Sequence, residues 1–448
     1  MGKALFGTDG IRGIPGEFPL DDRTVYGVGT ALGEYVRPGG AEARVLLGMD
    51  TRESGAHLAG LIAAGLAAAG ARAEFAGVIT TPGVACLVRE KGYAAGVVLS
   101  ASHNPWTDNG IKLFAASGMK FPDAVEEHLE EKVLARARRD GAAPVAAPAA
   151  DPRLDEEYLK FLRGCAAPGA RLAGMRIVLD CANGAASRLA PELFASLGAE
   201  AVAIHHAPDG RNINAGCGSM HPETMQSKVL ETGAALGVAF DGDADRAIFS
   251  TAAGSLVNGD GVLLAASRYL RKTGKLKGGT VVGTTMSNLG LERALSGEGL
   301  ALARVPVGDR YVLEEMLRSG ANLGGEQSGH VIFLDDAPTG DGLLTALKMA
   351  CLVALEGPLE KQVAGLKVYP QTIVNVRVAS KPELMTLPAV AAAMREAEMG
   401  LGAAGRIVLR YSGTEPLARV MVEAERDEDV RRWSERIAAA IRAEIGAE

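Results

Sequence analysis

Short apolar runs recur along the chain, each giving way to a loop of glycine, aspartate, serine and asparagine and then to helix-like spacing. The phrase appears as RVLLGMDTRESG (44–55), GVVLSASHN (96–104), RIVLDCANG (176–184), LGVAFDGDADR (236–246), VVGTTMSN (281–288) and ANLGGEQSGH (321–330). Strands that alternate with helices predict parallel sheets, with the polar loops at the strands' C-terminal ends, where such folds bind ligands. Several copies predict several α/β units facing a shared cleft. Gly27-Val28-Gly29 and the uncharged stretch Leu58 to Ala71 both sit in helical patterns. From about Lys367 the pattern changes to strands in YPQTIVNVRV and GRIVLRY, a loop SGTEP and a strand Ala418 to Val422. A last helix carries Val430, Trp433, Ile437, Ile441 and Ile445 on one apolar face. This predicts a smaller α+β domain whose loop closes over the cleft.

The Pro/Ala-rich connector Arg139 to Pro152 is the clearest break, and the strand Ala247-Ile248-Phe249 closes a second unit. The expected domains are 1–150, 151–255 and 256–365, all α/β, and 366–448, α+β.

Composition narrows the chemistry. With 47 basic against 54 acidic residues the net charge is −7, and no basic tract offers a footprint for nucleic acid. The stretch Leu58 to Ala71 falls short of the ~20 residues a membrane span needs. The opening MGKALFGTDG lacks a long apolar core, and Phe6 stands where a myristoylation signal has Ser or Thr, so a cytoplasmic protein is expected. Five cysteines without C-x-x-C spacing read as incidental thiols. No Walker loop and no G-x-G-x-x-G behind a strand indicate a nucleotide cofactor.

DGDADR (241–246) sets Asp241, Asp243 and Asp245 at alternate positions after an apolar strand. Three like charges this close repel unless a cation offsets them, so a divalent metal is the economical reading. An EF-hand is excluded, because Arg246 and Ala252 hold the places of its glycine and glutamate. Three oxygens underfill an octahedral Mg2+, and the usual missing ligand is a phosphate oxygen. That gives a task to Ser102 in SASHNPWTDNG (100–110). Adjacent loop residues such as Ser102 and His103 rarely aim at one spot, and the nucleophile elbow is absent, whereas a serine that carries phosphate supplies the missing oxygen and needs no neighbouring base. Phosphoryl transfer depends on positioning and charge neutralisation, so Lys112 and Arg12 are the expected cations.

RYSGTEP (410–416) joins Arg410 with Ser412, Gly413 and Thr414 in a loop suited to grip a phosphate. In GGEQSGH (324–330), Glu326 and Ser328 share a side if the segment is extended, which suits two adjacent sugar hydroxyls, and His330 is a candidate proton carrier. The bland alternatives are a solvated acidic turn at 241–246, a plain polar turn at 410–416 and a structural His330.

Together and in this order, FGTDGIRG, SASHNPWTDNGIKLF, DGDADR, VGDRYV (307–312), GGEQSGH and RYSGTEP resemble the α-D-phosphohexomutase superfamily over nearly the whole chain. The forms FGTDGIRG, SASHNP and GEQSGH are most similar to its bacterial branch acting on glucosamine phosphates. The resemblance implies four domains around a central cleft, three similar α/β domains and a smaller α+β one. It implies one Mg2+ per chain, held by Asp241, Asp243 and Asp245 beside a phosphorylated Ser102, with a hexose 1,6-bisphosphate as activator. Glu326 and Ser328 would hold sugar hydroxyls, and Arg410, Ser412, Gly413 and Thr414 the far phosphate. Arg12, Lys112, His103, Arg246 and His330 complete the implied site. The implied partner is a small sugar phosphate, with a homodimer as a possible assembly, and the product would feed UDP-N-acetylglucosamine and cell-wall synthesis. Ala244 stands where many relatives have glycine, and Trp106-Thr107 is a local variant. The rival readings are glucose or mannose phosphates as substrate, an Asp-nucleophile phosphatase built on Asp241 and Asp243, and a non-catalytic sugar-phosphate binder.

Overall fold

A computed structural model describes residues 5–7, 9–37, 43–136, 146–412 and 416–447. By packing they fall into two units, one of residues 1–284 and 305–364 and the other of residues 285–304 and 365–448.

The first unit begins with a six-stranded sheet in the order Phe6–Gly7, Gly10–Gly13, Asn109–Ala115, Ala95–Leu99, Arg44–Met49, Arg72–Val78. Side chains alternate across a strand, so each face finds its own cover. Val45, Leu47, Val97 and Leu99 pack into one core with Val25, Val28 and Leu32 of helix Asp22–Tyr35 and Leu58, Ile62 and Leu66 of helix Gly55–Ala68. On the other face Gly48 and Gly96 leave room for Val84 and Val88 of helix Thr81–Lys91. The two-glycine pattern of the first helix has a packing cause: a Cβ on Gly29 would stand 2.3 Å from the Ile62 carbonyl oxygen, and one on Gly65 2.3 Å from that of Tyr26. The helices therefore cross backbone against backbone.

A five-stranded sheet follows, ordered Leu256–Val257, Ala247–Thr251, Leu236–Phe240, Arg176–Asp180, Glu200–Ile204. A third is built on Thr280–Thr284, parallel to Leu323–Gly325, which pairs antiparallel with Val331–Phe333. The parallel sheets expected from the strand–helix alternation are in fact mixed. The polar loops after Arg44–Met49, Arg176–Asp180 and Thr280–Thr284 lead into helices, but those after Ala95–Leu99, Leu236–Phe240 and Leu323–Gly325 return as antiparallel strands. Each reversing loop contains a residue in the left-handed region, Ser102 (φ 52°), Ala244 (φ 54°) and Gly329 (φ 95°). Such φ values turn a chain sharply, and apolar runs alone do not reveal them.

In the second unit the strand Leu417–Ala424 lies between Gln371–Arg377 and Gly405–Tyr411, all antiparallel. Val420 and Val422 pack with Val390 and Met394 of helix Pro388–Leu401 and with Val430, Trp433, Ile437 and Ile441 of helix Asp427–Ile445. This is the predicted apolar face. All five cysteines are free, and among the described residues no helix is long and apolar enough to cross a membrane.

Helix Gly342–Glu356 of the first unit is capped by Asp341, which accepts from the Leu344 N–H at 2.9 Å and the Tyr158 hydroxyl at 2.8 Å. Burial pushes the Asp341 carboxyl up to about 6 against the pull of those donors. A proton held more tightly in the folded chain adds stability at low pH that is lost as pH rises through about 6. Asparagine mimics the neutral form, so the stability of Asp341→Asn relative to the parent should rise between about pH 4 and about pH 7, read by urea unfolding at both values. A pH-independent difference would contradict the raised carboxyl.

Candidate active site

Ser102 is 1 % exposed and tops the loop after strand Ala95–Leu99. A non-glycine residue in the left-handed region costs about 1–2 kcal/mol, so its surroundings must hold it there. Its N–H donates to Ser100 Oγ (2.9 Å), and that hydroxyl donates to Asp50 Oδ2 (2.6 Å). Its carbonyl accepts from Arg52 (3.0 Å) and from Asn214 Nδ2 (2.9 Å). Arg52 is fully buried: Nε pairs with Asp50 at 2.9 Å, and its two terminal nitrogens also donate to the carbonyls of Asn104 (2.8 Å), Asp108 (2.9 Å) and Pro105. One planar guanidinium thus binds four carbonyls of the serine loop.

The carboxylate loop meets this one directly. Ser102 Oγ donates to Asp241 Oδ2 at 2.6 Å, and a Cβ on Gly242 would lie 2.5 Å from the Ser102 carbonyl oxygen. Carboxylate oxygens of Asp241, Asp243 and Asp245 lie within 4.8 Å of one another, all buried. Ala244 turns the loop with its left-handed φ, its N–H donating to the Asp241 carbonyl at 3.0 Å, a conformation glycine adopts without strain. Thr81 fixes Asp243, through N–H to the Asp243 carbonyl (3.0 Å) and through its hydroxyl to the carboxylate.

Charges within the cluster offset one another only in part. Lys112 Nζ lies 2.8 Å from Asp243, 3.2 Å from Asp245 and 3.3 Å from Asp9. Burial disfavours its ammonium, but Asp243, Asp9 and Asp245 overcome that and hold it well above the ordinary lysine range. Burial likewise opposes the Asp245 carboxylate, which Lys112, His330 and Arg246 nonetheless keep well below the usual range. Asp241 goes the other way, raised by burial and then by Asp245 and Asp243. A divalent cation would relieve that surplus, and Asp243 Oδ1 and Asp245 Oδ1 are buried without hydrogen-bond partners. The residues fit a hard, oxygen-seeking ion.

His103 Nδ1 lies 3.3 Å from Arg246 and 3.4 Å from Ser102 Oγ. Burial, then Arg246 and Arg12, push the ring down to about 4, so it is neutral near pH 7. The serine proton points to Asp241 instead. Arg12 donates to the Ala101 carbonyl (3.0 Å), Asn104 Oδ1 (3.3 Å) and Asp9 (2.6 Å), while the Nε atoms of Arg12 and Arg246 are buried without a hydrogen-bond partner, that of Arg246 lying 3.8 Å from Asp245 Oδ1.

The segment 324–330, which would set Glu326 and Ser328 on one side if extended, instead makes a tight turn joining two antiparallel strands. Glu326 N–H donates to the His330 carbonyl at 2.8 Å and Gly329 N–H to the Glu326 carbonyl at 3.0 Å. The turn still keeps Ser328 Oγ 3.3 Å from Glu326 Oε2, and Gly308 N–H donates to Oε1 at 3.0 Å. Its tip is tied to the strand that follows the aspartate loop by Ala247 N–H donating to the Gly329 carbonyl (3.1 Å). His330 accepts at Nε2 from Gly340 N–H (3.1 Å), which leaves its proton on Nδ1, 3.8 Å from Asp245. A cavity of about 170 Å³ opens beside His330, lined also by Lys120, Asp309, Arg310 and Thr339.

In the second unit Arg410 pairs in register with Arg419, whose guanidinium lies 3.4 Å from Ser412 Oγ, and Lys381 donates to the Ser412 carbonyl at 2.8 Å. Burial, then Arg419, lower Arg410. Crowded cations of this kind call for an anion. Gly413 and Thr414 lie outside the described residues.

The first unit thus brings Ser102, the three aspartates, Lys112, Arg12, His103, Arg246 and His330 into one connected cluster. Arg52, Asp50, Asn214, Thr81, Asp9, Asp309 and Arg419 were not singled out from sequence. Asp50 and Arg52 follow one of the recurring strands, so the strand–loop pattern pointed to them, but nothing in it distinguishes an arginine facing inward from a solvated one.

Family profiles match in order along the chain: phosphoglucomutase/phosphomannomutase α/β/α domain I over residues 3–140, domain II over 156–254, domain III over 258–369 and the C-terminal domain over 373–440. The chain belongs to the phosphoglucomutase/phosphomannomutase family. Its phosphohexomutase architecture of four α/β-type domains is shared with a family protein from Burkholderia thailandensis, 25 % identical with a TM-score of 0.78, covering 99 % of this chain and 98 % of that one. An Aspergillus fumigatus N-acetylphosphoglucosamine mutase, solved with GlcNAc-6P and magnesium, has the same fold at 18 % identity and a TM-score of 0.64, over 98 % of this chain and 95 % of that one. Among curated relatives, the phosphoglucosamine mutase of Solibacter usitatus is 54 % identical over the full length of both chains, and that of Koribacter versatilis 50 % identical over 99 % and 98 %. This family member is therefore a mutase of the isomerase class.

Lysine has three donors on a point charge against five in the arginine fork, so Arg52→Lys strands buried carbonyls at about 1–3 kcal/mol each. The variant should fold, melt earlier and lose kcat about 10- to 100-fold with little change in KM, the signature of a misplaced Ser102 loop. A proportional rise in KM alone would refute the positioning role.

Proposed function

We propose that the enzyme is a phosphoglucosamine mutase, interconverting glucosamine 6-phosphate and glucosamine 1-phosphate. The observation that carries this reading is Ser102 Oγ seated 2.6 Å from Asp241 within the buried carboxylate cluster, in a chain matching phosphoglucosamine mutases end to end. Ser102, bearing a phosphoryl group, gives it to O1 of glucosamine 6-phosphate: the Oγ–P bond breaks, the O1–P bond forms and the O1 proton departs. The resulting 1,6-bisphosphate turns end for end. Ser102 Oγ then takes the phosphoryl group from O6, which regains a proton, and glucosamine 1-phosphate leaves.

Asp241, Asp243 and Asp245, with Ser102, would hold one Mg2+, which when bound draws charge from the phosphoryl oxygens. Lys112, held cationic by its three carboxylates, serves as an electrostatic partner of the transferred group and not as a base. Arg12 and Arg246, each with an unsatisfied buried Nε, face the same charge. Glu326 and Ser328 are assigned to sugar hydroxyls. His330, its Nε2 already occupied, is assigned to orienting Asp245. Arg410, Ser412, Gly413 and Thr414 are assigned to the phosphate that is not reacting, and one such grip serves both orientations of the sugar. The domain limits 1–150, 151–255, 256–365 and 366–448 are proposed as the parts that carry these four loops.

The family description leaves glucose or mannose phosphates as the second reading. Phosphorus NMR with Mg2+, catalytic glucose 1,6-bisphosphate and each hexose 6-phosphate in turn separates them. Growth of a 1-phosphate signal chiefly from glucosamine supports the proposal, preference for glucose or mannose moves the enzyme to a sister group, and inorganic phosphate alone indicates a phosphatase. Ser102→Ala should abolish nearly all turnover while leaving the fold intact by circular dichroism; wild-type rates would sink the scheme. Arg410→Ala should raise KM for glucosamine 6-phosphate, and an unchanged KM would contradict the phosphate grip.

A further inference from the structure

Apart from the aspartate cluster, a second set of ligand-type side chains converges in the first unit. Asp180, at the end of strand Arg176–Asp180, His205 and Cys217 place a carboxylate oxygen, a ring nitrogen and a sulfur within 4.8 Å of one another. Asp180 and Cys217 are buried, and His205 forms the partly open side. His205 Nδ1 is 3.0 Å from Asp180 Oδ2, yet the pair is out of line for a hydrogen bond and the nitrogen has no partner. A His–Asp pair held for its own sake would align the N–H with the oxygen; here it does not, although the two atoms are 3.0 Å apart. Asp180 is already oriented by backbone donors, Ala182 N–H to Oδ1 at 3.0 Å and Gly218 N–H to Oδ2 at 3.1 Å. This is the kind of support that metal-ligating carboxylates have.

We infer that Asp180, His205 and Cys217 form a second metal site, for a borderline-soft divalent ion of the zinc class. Sulfur and imidazole favour such ions, and three protein ligands leave a fourth, open position on the His205 side. The hard Mg2+ expected at Asp241, Asp243 and Asp245 has an all-oxygen cradle and does not compete for sulfur. On binding, the Cys217 thiol gives its proton to solvent as the sulfur–metal bond forms, and no oxidant or reductant is involved. The ion fastens the segment 205–218 to the strand end. Within that segment Asn214 donates its N–H to the Ala182 carbonyl (2.9 Å) and its side-chain amide to the Ser102 carbonyl (2.9 Å), so the site buttresses the serine loop without touching substrate. This inference is independent of which sugar the enzyme uses.

The test uses the full chain, stripped with chelator, refilled with excess Mg2+ and titrated with Co2+. The expected result is a thiolate-to-cobalt charge-transfer absorption saturating at about one ion per chain, displaced by Zn2+. It should vanish in Cys217→Ser, demand more cobalt in His205→Ala and persist in Cys181→Ser, whose sulfur belongs to a neighbouring buried thiol. The spectrum of the native protein needs no variant, so misfolding of a variant cannot mask the answer. Absence of the absorption in the native protein, or its survival unchanged in either Cys217→Ser or His205→Ala, overturns the site and leaves a buried thiol beside a His–Asp ion pair.

Discussion

The buried guanidinium of Arg52 is the constraint on which the reactive centre rests. A loop that must present a serine in the left-handed region cannot hold itself there, because its carbonyls point where no strand or helix receives them. Arg52 collects four of those carbonyls and is itself held by Asp50, which also fixes Ser100 and through it the Ser102 amide. A buried charge pair is weak evidence for net stability, since desolvation offsets much of the attraction. Its value here is geometric: the loop has one conformation because the fork has one shape.

The charges around that loop follow a second rule, that buried ions persist only in neutralised groups. Lys112 is shared by Asp243, Asp245 and Asp9, and Asp9 is shared in turn by Arg12 and Lys120. Asp241 is left with the weakest compensation, and it is the residue that meets the serine hydroxyl. Negative charge surplus and the Ser102 hydroxyl therefore coincide, which is the electrostatic condition under which a cation and a phosphoryl group would be admitted together.

The order of motifs made the family legible, and the apolar runs located most strands and the last amphipathic helix. What the periodicity could not show was direction. Ser102 and Ala244 give no sign in sequence that they adopt positive φ, so the return strands Asn109–Ala115 and Ala247–Thr251 turned two expected parallel sheets into mixed ones. The same blindness hid Arg52, Thr81 and Asn214. Their roles arise from carbonyls and carboxylates brought near by the fold, a long-range fact that no local spacing encodes. In contrast, Asp241, Asp243 and Asp245 were readable because their repulsion is itself local.

At Gly242 the aspartate loop lies against the carbonyl of Ser102 with no room for even a methyl group. The two loops come from different sheets, yet at this point main chain meets main chain. The distance between Ser102 and the aspartates is thus inherited from the main chain, common to all amino acids. A side chain at this one position would push the two loops apart, whatever the surrounding shell. The spacing between Ser102 and the aspartates is, in that sense, written in an absence of atoms.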